Sequence, residues 1–142
     1  MAIPLDPEEM VEVFGDHDPT RFDAEVEQRW GDTAAFRESH RRTARYTKDD
    51  WLACTAEGEA AVQTMAAAMS AGLPASSAEA MDGAEGHRRH IDRWFYPCSH
   101  RMQTGLADMY LADPRFTAAY EERAPGLAQY VHDAIHANAA RS

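Results

Sequence analysis

The chain has 142 residues, enough for one domain whose core needs no covalent staples. Its two cysteines, Cys54 and Cys98, are too few for a disulfide scaffold and suit a reducing compartment. The formal net charge is −10, and residues 1–32 hold ten acids against two arginines, so the chain has no basic stripe for a phosphate backbone; direct nucleic-acid binding by this segment is excluded.

Pro4, Asp6, Pro7, Glu8 and Glu9 interrupt the first apolar stretch, which rules out a signal peptide there. No apolar run reaches transmembrane length. The expectation is a cytoplasmic protein without membrane contact.

Almost every segment has helical periodicity, and none alternates with period two. A first helix is expected from about Pro7 to Phe14, with Asp6 as N-cap, Glu9 completing a capping box and Gly15 as the stop. Asp18-Pro19 caps a second helix with Phe22, Val26 and Trp30 on one face, ended by Gly31. A third starts at Thr33 and aligns Phe36, His40 and Ala44. Thr47-Lys48-Asp49-Asp50 caps the longest helix, whose seam is Trp51, Thr55, Gly58, Val62, Met65 and Met69. Ala71-Gly72-Leu73-Pro74 ends it.

Ser76 and Glu79 form an S-x-x-E box for the fifth helix, with Met81, Ala84, His87, Ile91 and Trp94 on its face. Gly83 and Gly86 each weaken that helix by about 1 kcal/mol relative to alanine, which predicts close packing or flexibility there. A sixth helix begins after Pro97 and carries Met102, Leu106, Met109 and Tyr110. Asp113-Pro114 caps a short seventh with Phe116 and Tyr120. Pro125 opens the last, which turns Leu127, Tyr130, Val131, Ala134, Ile135 and Asn138 inward. The result is an all-α domain of seven or eight helices, and periodicity does not choose between a bundle and a globin-like arrangement.

The stretch Trp94-Phe95-Tyr96-Pro97-Cys98-Ser99-His100-Arg101-Met102 is the place to look for chemistry. Pro97 suits a helix start, so Cys98 is expected in or just before a first turn. Unpaired backbone N–H groups and the helix dipole there favour thiolate over thiol. Against this, a cysteine outside a disulfide is commonly a small buried hydrophobe. Trp94, Phe95, Tyr96, Met102, Met109 and Tyr110 crowd this region in the sequence and offer an adaptable apolar pocket, or plain core.

Other constellations carry less. His87, His90, Cys98 and His100 read H-x2-H-x7-C-x-H, which is not a familiar metal spacing, and no metal or cofactor is assigned. Cys54 is an inert thiol on the long helix. Cys98 and His100 at i, i+2 do not face each other on a helix, although the pair His132 and His136 could come near. The chain has no phosphate loop, nucleophile elbow or paired-carboxylate motif, so no catalytic residue is assigned and the chain is not read as an enzyme.

Certain short runs are diagnostic in combination: Glu12-Val13-Phe14-Gly15-Asp16, Arg29-Trp30-Gly31-Asp32-Thr33, Tyr46-Thr47-Lys48-Asp49-Asp50-Trp51, Tyr96-Pro97-Cys98, Asp113-Pro114-Arg115-Phe116-Thr117 and Asp133-Ala134-Ile135-His136-Ala137-Asn138. With them, in order along essentially the whole chain, it resembles the TipA-type (thiostrepton-induced) antibiotic-recognition domain of MerR-family transcription regulators. The resemblance implies a single globin-like helical domain without haem that binds macrocyclic thiopeptide antibiotics. It implies covalent addition of Cys98 to a dehydroalanine of the drug. Residues 1–32 become a lid that orders over the ligand, and 33–142 the recognition core. Phe14, Phe22, Trp30, His87, Ile91, Phe95, Tyr96, Met102, Met109 and Tyr110 are the expected ligand contacts. DNA is expected to be reached only through a MerR-like N-terminal half absent from this segment, which looks like the short form or an isolated effector domain. Gln103 departs from the histidine expected beyond the cysteine. Alternatives are noncovalent binding of another bulky antibiotic, as in albicidin-binding relatives, a cysteine-dependent enzyme, or a metal or redox sensor using His87, His90 and Cys98.

Overall fold

The computed structural model describes residues 3–15, 19–20 and 23–142. Among them are eight helices and no strand: α1 Pro7–Phe14, α2 Asp23–Trp30, α3 Ala34–Thr43, α4 Lys48–Ser70, α5 Ala78–Trp94, α6 His100–Ala112, α7 Pro114–Glu121 and α8 Leu127–Arg141.

Local chemistry sets most boundaries. Asp6 accepts from the Glu9 N–H while Glu9 reaches back to the Asp6 N–H, so the expected capping box starts α1. Gly15, at φ 63°, ends it where a side chain would be strained. Thr33 caps α3 through the Phe36 N–H. Thr47 and Asp50 cap α4 reciprocally, each side chain accepting from the other's backbone N–H.

Three starts differ from expectation. The Asp18 cap and Phe22 lie outside the described residues, and α2 begins only at Asp23. Ser77, not Ser76, accepts from the N–H three residues on, Ala80, so α5 starts one residue later and Glu79 falls out of box register. Pro125 does not open α8, because Gly126 intervenes at φ 89° and Leu127 is the first helical residue.

The chain forms two compact units, each with its own core; α4 and α5 contribute to both. Unit 1 comprises Met1–Glu57 and His90–Pro97. Its core is Trp51, Cys54 and Trp94, with Ile3, Leu5, Val13, Phe14, Tyr46 and Phe95 packed against them. Unit 2 comprises Gly58–Arg89 and Cys98–Ser142. Its core is built on Met65, Leu127, Val131 and Ile135 with a set of alanines that includes Ala80, Ala84, Ala107 and Ala134. Within it α6 packs along α8, and α7 touches both.

The α4 seam keeps Trp51 and Met65 buried as expected but is shifted at its other positions. Cys54, Ala61 and Ala68 are buried, whereas Thr55, Val62 and Met69 are only half-buried. Alanine on this stripe admits a neighbouring helix closely, and that outweighs the larger side chains beside it. Gly83 shows the limit of this approach: a Cβ there would lie 2.7 Å from Met65 Cγ and 3.2 Å from the Met65 backbone nitrogen. Close packing therefore explains Gly83. Gly86 has only an ordinary contact, 3.6 Å to Ala61 Cβ.

Candidate functional site

Cys98 stands one residue ahead of Ser99, the N-cap of α6, whose side chain accepts from the Met102 N–H. The expectation that Cys98 lies just before a first turn is met, with Ser99 rather than Pro97 setting the start. The first-turn N–H groups of α6 have no intrahelical acceptor, so the helix dipole there favours an anion. Cys98 is 2% exposed, and its Sγ lies 3.8 Å from the Ser99 carbonyl oxygen.

Arg88 on α5 anchors this turn. Its Nη1 donates to the Cys98 carbonyl at 2.9 Å, and its other edge is paired with Glu85 at 2.9 and 2.5 Å. Glu85 also accepts from Arg89 and from the buried Asn138 on α8. These donors, Arg88 first, hold the Glu85 carboxyl at about 2, far below the usual carboxylate value. An ionised Glu85 thus fixes Arg88, and Arg88 fixes the backbone at Cys98. His100, two residues on, has its Nδ1 buried without a hydrogen-bond partner among the described residues.

Next along α6, Gln103 is fully buried. Its amide nitrogen donates to the Ala84 carbonyl at 2.8 Å and to His87 Nδ1 at 2.9 Å. A carbonyl can only accept, so the amide orientation is determined and neutral His87 carries its proton on Nε2. His87 meets Tyr110 edge to face at 6.1 Å, and Tyr110 continues to Phe116 and Tyr120. Unit 2 therefore brings two expected contact residues, His87 and Tyr110, into direct contact, and Gln103, noted in the sequence only as a departure, holds His87 against the Ala84 carbonyl. Met109 is half-buried and Met102 exposed.

In unit 1 two of the expected contact residues, Phe14 and Phe95, belong to an aromatic cluster centred on Trp51. Phe14 and Tyr46 meet Trp51 edge on at 5.6 and 5.5 Å, and Phe95 lies 6.3 Å away. Tyr46 also stands at 86° to Trp94 and donates to its carbonyl oxygen. Trp94 Nε1 donates to Glu57 at 2.5 Å, whereas the buried Trp51 Nε1 has no partner among the described residues. Ile91 is buried, and Tyr96 and Trp30 are half-buried. Trp30 carries the Arg29 guanidinium over its ring at 4.3 Å. The roles of Tyr46 and Trp51 are not legible in the sequence, because nothing local marks a residue as part of a long-range cluster.

The second cysteine is chemically quiet. His90 Nε2 donates to the Cys54 carbonyl at 2.9 Å and lies 3.5 Å from its sulfur. Burial, then the charge of Glu57, pushes the Cys54 thiol up to about 12. Neither cysteine is in a disulfide. His87 and His90 are engaged separately, by Gln103 and Cys54. Among the described residues, the side chains placed to share a metal ion are Asp108, His132 and His136.

A family model for the TipAS antibiotic-recognition domain matches residues 22–138. The chain belongs to this family. It is 49% identical over 99% of its length to the HTH-type transcriptional activator TipA of Streptomyces coelicolor, of which it covers 56%. It is 33% identical over 84% of its length to the activator mta of Bacillus subtilis, covering 45% of that protein. The chain thus spans about half the length of these relatives. Among solved structures, it matches the TipAS of a Streptomyces lividans thiopeptide multidrug resistance system, in complex with nosiheptide. The TM-score is 0.88 at 48% identity, over 99% of this chain and 98% of that one. The antibiotic-binding domain of another TipA-class multidrug resistance regulator matches at TM-score 0.57 and 45% identity, over 62% of this chain and 94% of that one. The globin-like helical class of TipAS is therefore the fold class of this chain, and its sequence relatives are transcriptional regulators. No helix among the described residues is long and apolar enough to cross a membrane.

Proposed function

We propose that this domain recognises macrocyclic thiopeptide antibiotics and captures them covalently through Cys98. The observation that carries the reading is the end-to-end likeness to a TipAS domain in complex with nosiheptide, with a cysteine at the head of α6. The chemistry is conjugate addition. The thiolate attacks the methylene carbon of a dehydroalanine, a C–S bond forms, and the C=C pair becomes an enolate that a solvent proton quenches at Cα. The thiol proton has gone to solvent, so the addition balances without oxidant or leaving group. Saturation at one ligand per chain, with no product released, separates this from an enzyme.

Helix α6 supports the reading by favouring the thiolate, and Arg88 by holding the backbone beside it. Within unit 2, the buried Nδ1 of His100, without a partner among the described residues, is a polar group that a ligand acceptor can satisfy. Phe14, Phe22, Trp30, Ile91, Phe95, Tyr96, Met102, Met109, Tyr110 and His87 supply apolar and aromatic contact. The acidic residues 1–32 order on the ligand as a lid. A MerR-like half, carried elsewhere, supplies DNA binding in the cytoplasm, and the domain itself touches neither DNA nor membrane.

Incubation with nosiheptide followed by intact mass spectrometry tests this. One added drug mass, lost in Cys98→Ser, is expected. No adduct, or one that survives the substitution, overturns the covalent step; tight binding without an adduct leaves a noncovalent, albicidin-type mode.

A further inference from the structure

We propose that Asp108, His132 and His136 form a site for a divalent transition-metal ion of the zinc class, which ties α6 to α8 within unit 2. His132 and His136 lie one turn apart on the same face of α8, their rings 4.4 Å apart. Asp108 on α6 faces both: its Oδ1 lies 3.0 Å from His132 Nε2 and 2.8 Å from His136 Nε2. One ligand atom from each residue falls within 4.8 Å of the others.

Two imidazoles and one carboxylate make a borderline donor set. It suits zinc, cobalt, nickel or copper, whereas magnesium and calcium seek all-oxygen shells. Tetrahedral metal–ligand bonds of about 2.0–2.2 Å place ligand atoms roughly 3.3–3.6 Å apart. The present contacts need to open by about half an ångström, which a rotation of the exposed Asp108 side chain supplies.

The surroundings prepare the ligands. His132 Nδ1 lies 2.9 Å from Asp133 Oδ1, and Gln129 donates to the same carboxylate oxygen at 2.8 Å. A carboxylate on Nδ1 holds the ring so that Nε2 presents its lone pair to a metal, as outer-sphere partners of zinc-bound histidines do. The arrangement gathers two imidazoles between two carboxylates, and a dication satisfies it more completely than protons do. The side chains of Asp108, His136 and His132 are 63, 41 and 21% exposed, so an ion has a direct path in. Three protein ligands leave a fourth position for water or an exogenous donor.

The test uses the full chain without a polyhistidine tag, stripped with chelator and titrated with Co(II) and then Zn(II). The expected result is one equivalent of Co(II) with tetrahedral visible absorption and no thiolate charge-transfer band, displaced by Zn(II). Asp133→Asn weakens binding about tenfold. His132→Ala/His136→Ala abolishes it, and Cys98→Ser leaves it unchanged. Circular dichroism of each variant in chelator confirms folding, since the replaced groups lie at the surface. Absence of saturable Zn(II) binding, equal binding by the double variant, or equal affinity for Mg(II) overturns the proposal.

Discussion

Arg88 donates to the backbone carbonyl of Cys98 at 2.9 Å while Glu85 holds the rest of its guanidinium. A charged donor on a backbone acceptor contributes about 1.5 kcal/mol or more, which is about tenfold in an opening equilibrium. Because Cys98 is buried, a small alkylating reagent reaches it only when this turn opens. Arg88→Lys, which keeps charge but loses the fork, should speed iodoacetamide labelling of Cys98 about tenfold. Peptide mass spectrometry over a time course reads the rate. An unchanged rate in the folded variant removes Arg88 from the control of this thiol.

The two glycines of α5 should respond in opposite directions. Gly83→Ala gains helix propensity but drives a methyl into the buried Met65, and overpacking of this kind costs about 1–3 kcal/mol. Gly86→Ala gains the same propensity with an ordinary contact, and should stabilise by up to about 1 kcal/mol. Urea melts of both variants check the pair.

Cys54 should resist alkylation at pH 8 while Cys98 reacts. With its thiol pushed to about 12, only about one Cys54 in ten thousand is thiolate at that pH. The same burial lowers the pKa of His90 below its ordinary 6.5, so the folded chain prefers neutral imidazole. The unfolded chain then binds the extra proton. The stability from His90 is full above about pH 6.5 and is lost as pH falls from there toward the folded value, at up to about 1.4 kcal/mol per pH unit. His90→Gln should flatten that part of the stability–pH curve; an unchanged slope excludes His90 as its source.

Gln103→Leu keeps the volume of a buried side chain but leaves His87 Nδ1 without its donor. A loss of about 1–2 kcal/mol in urea unfolding is expected. The Nδ1 resonance of His87 in nitrogen NMR should shift on losing that hydrogen bond. Wild-type stability and an unmoved resonance would show the contact to be idle.

The sequence by itself determined what depends on neighbours along the chain. The Asp6–Glu9 box, the Thr33 cap, Gly15 and Asp113-Pro114 act within one turn, and they delimited helices accurately. The position of Cys98 just ahead of a helix was legible for the same reason. So was the family, because its short runs recur in order over the whole chain. At Ser76 and Pro125 the neighbouring residue sets the helix start instead, through one hydrogen bond at Ser77 and one positive φ at Gly126.

Only the tertiary structure decided which distant residues meet. Arg88 carries no local mark in the sequence and is the anchor of Cys98 in the fold. Gln103 reads as a departure and is the buried link between Ala84 and His87. His132 and His136 carry a helical spacing that predicts their adjacency, but Asp108, 24 residues away, joins them only because α6 packs on α8. Helical periodicity reports which face of a helix is apolar; it holds no information about which other helix that face will meet.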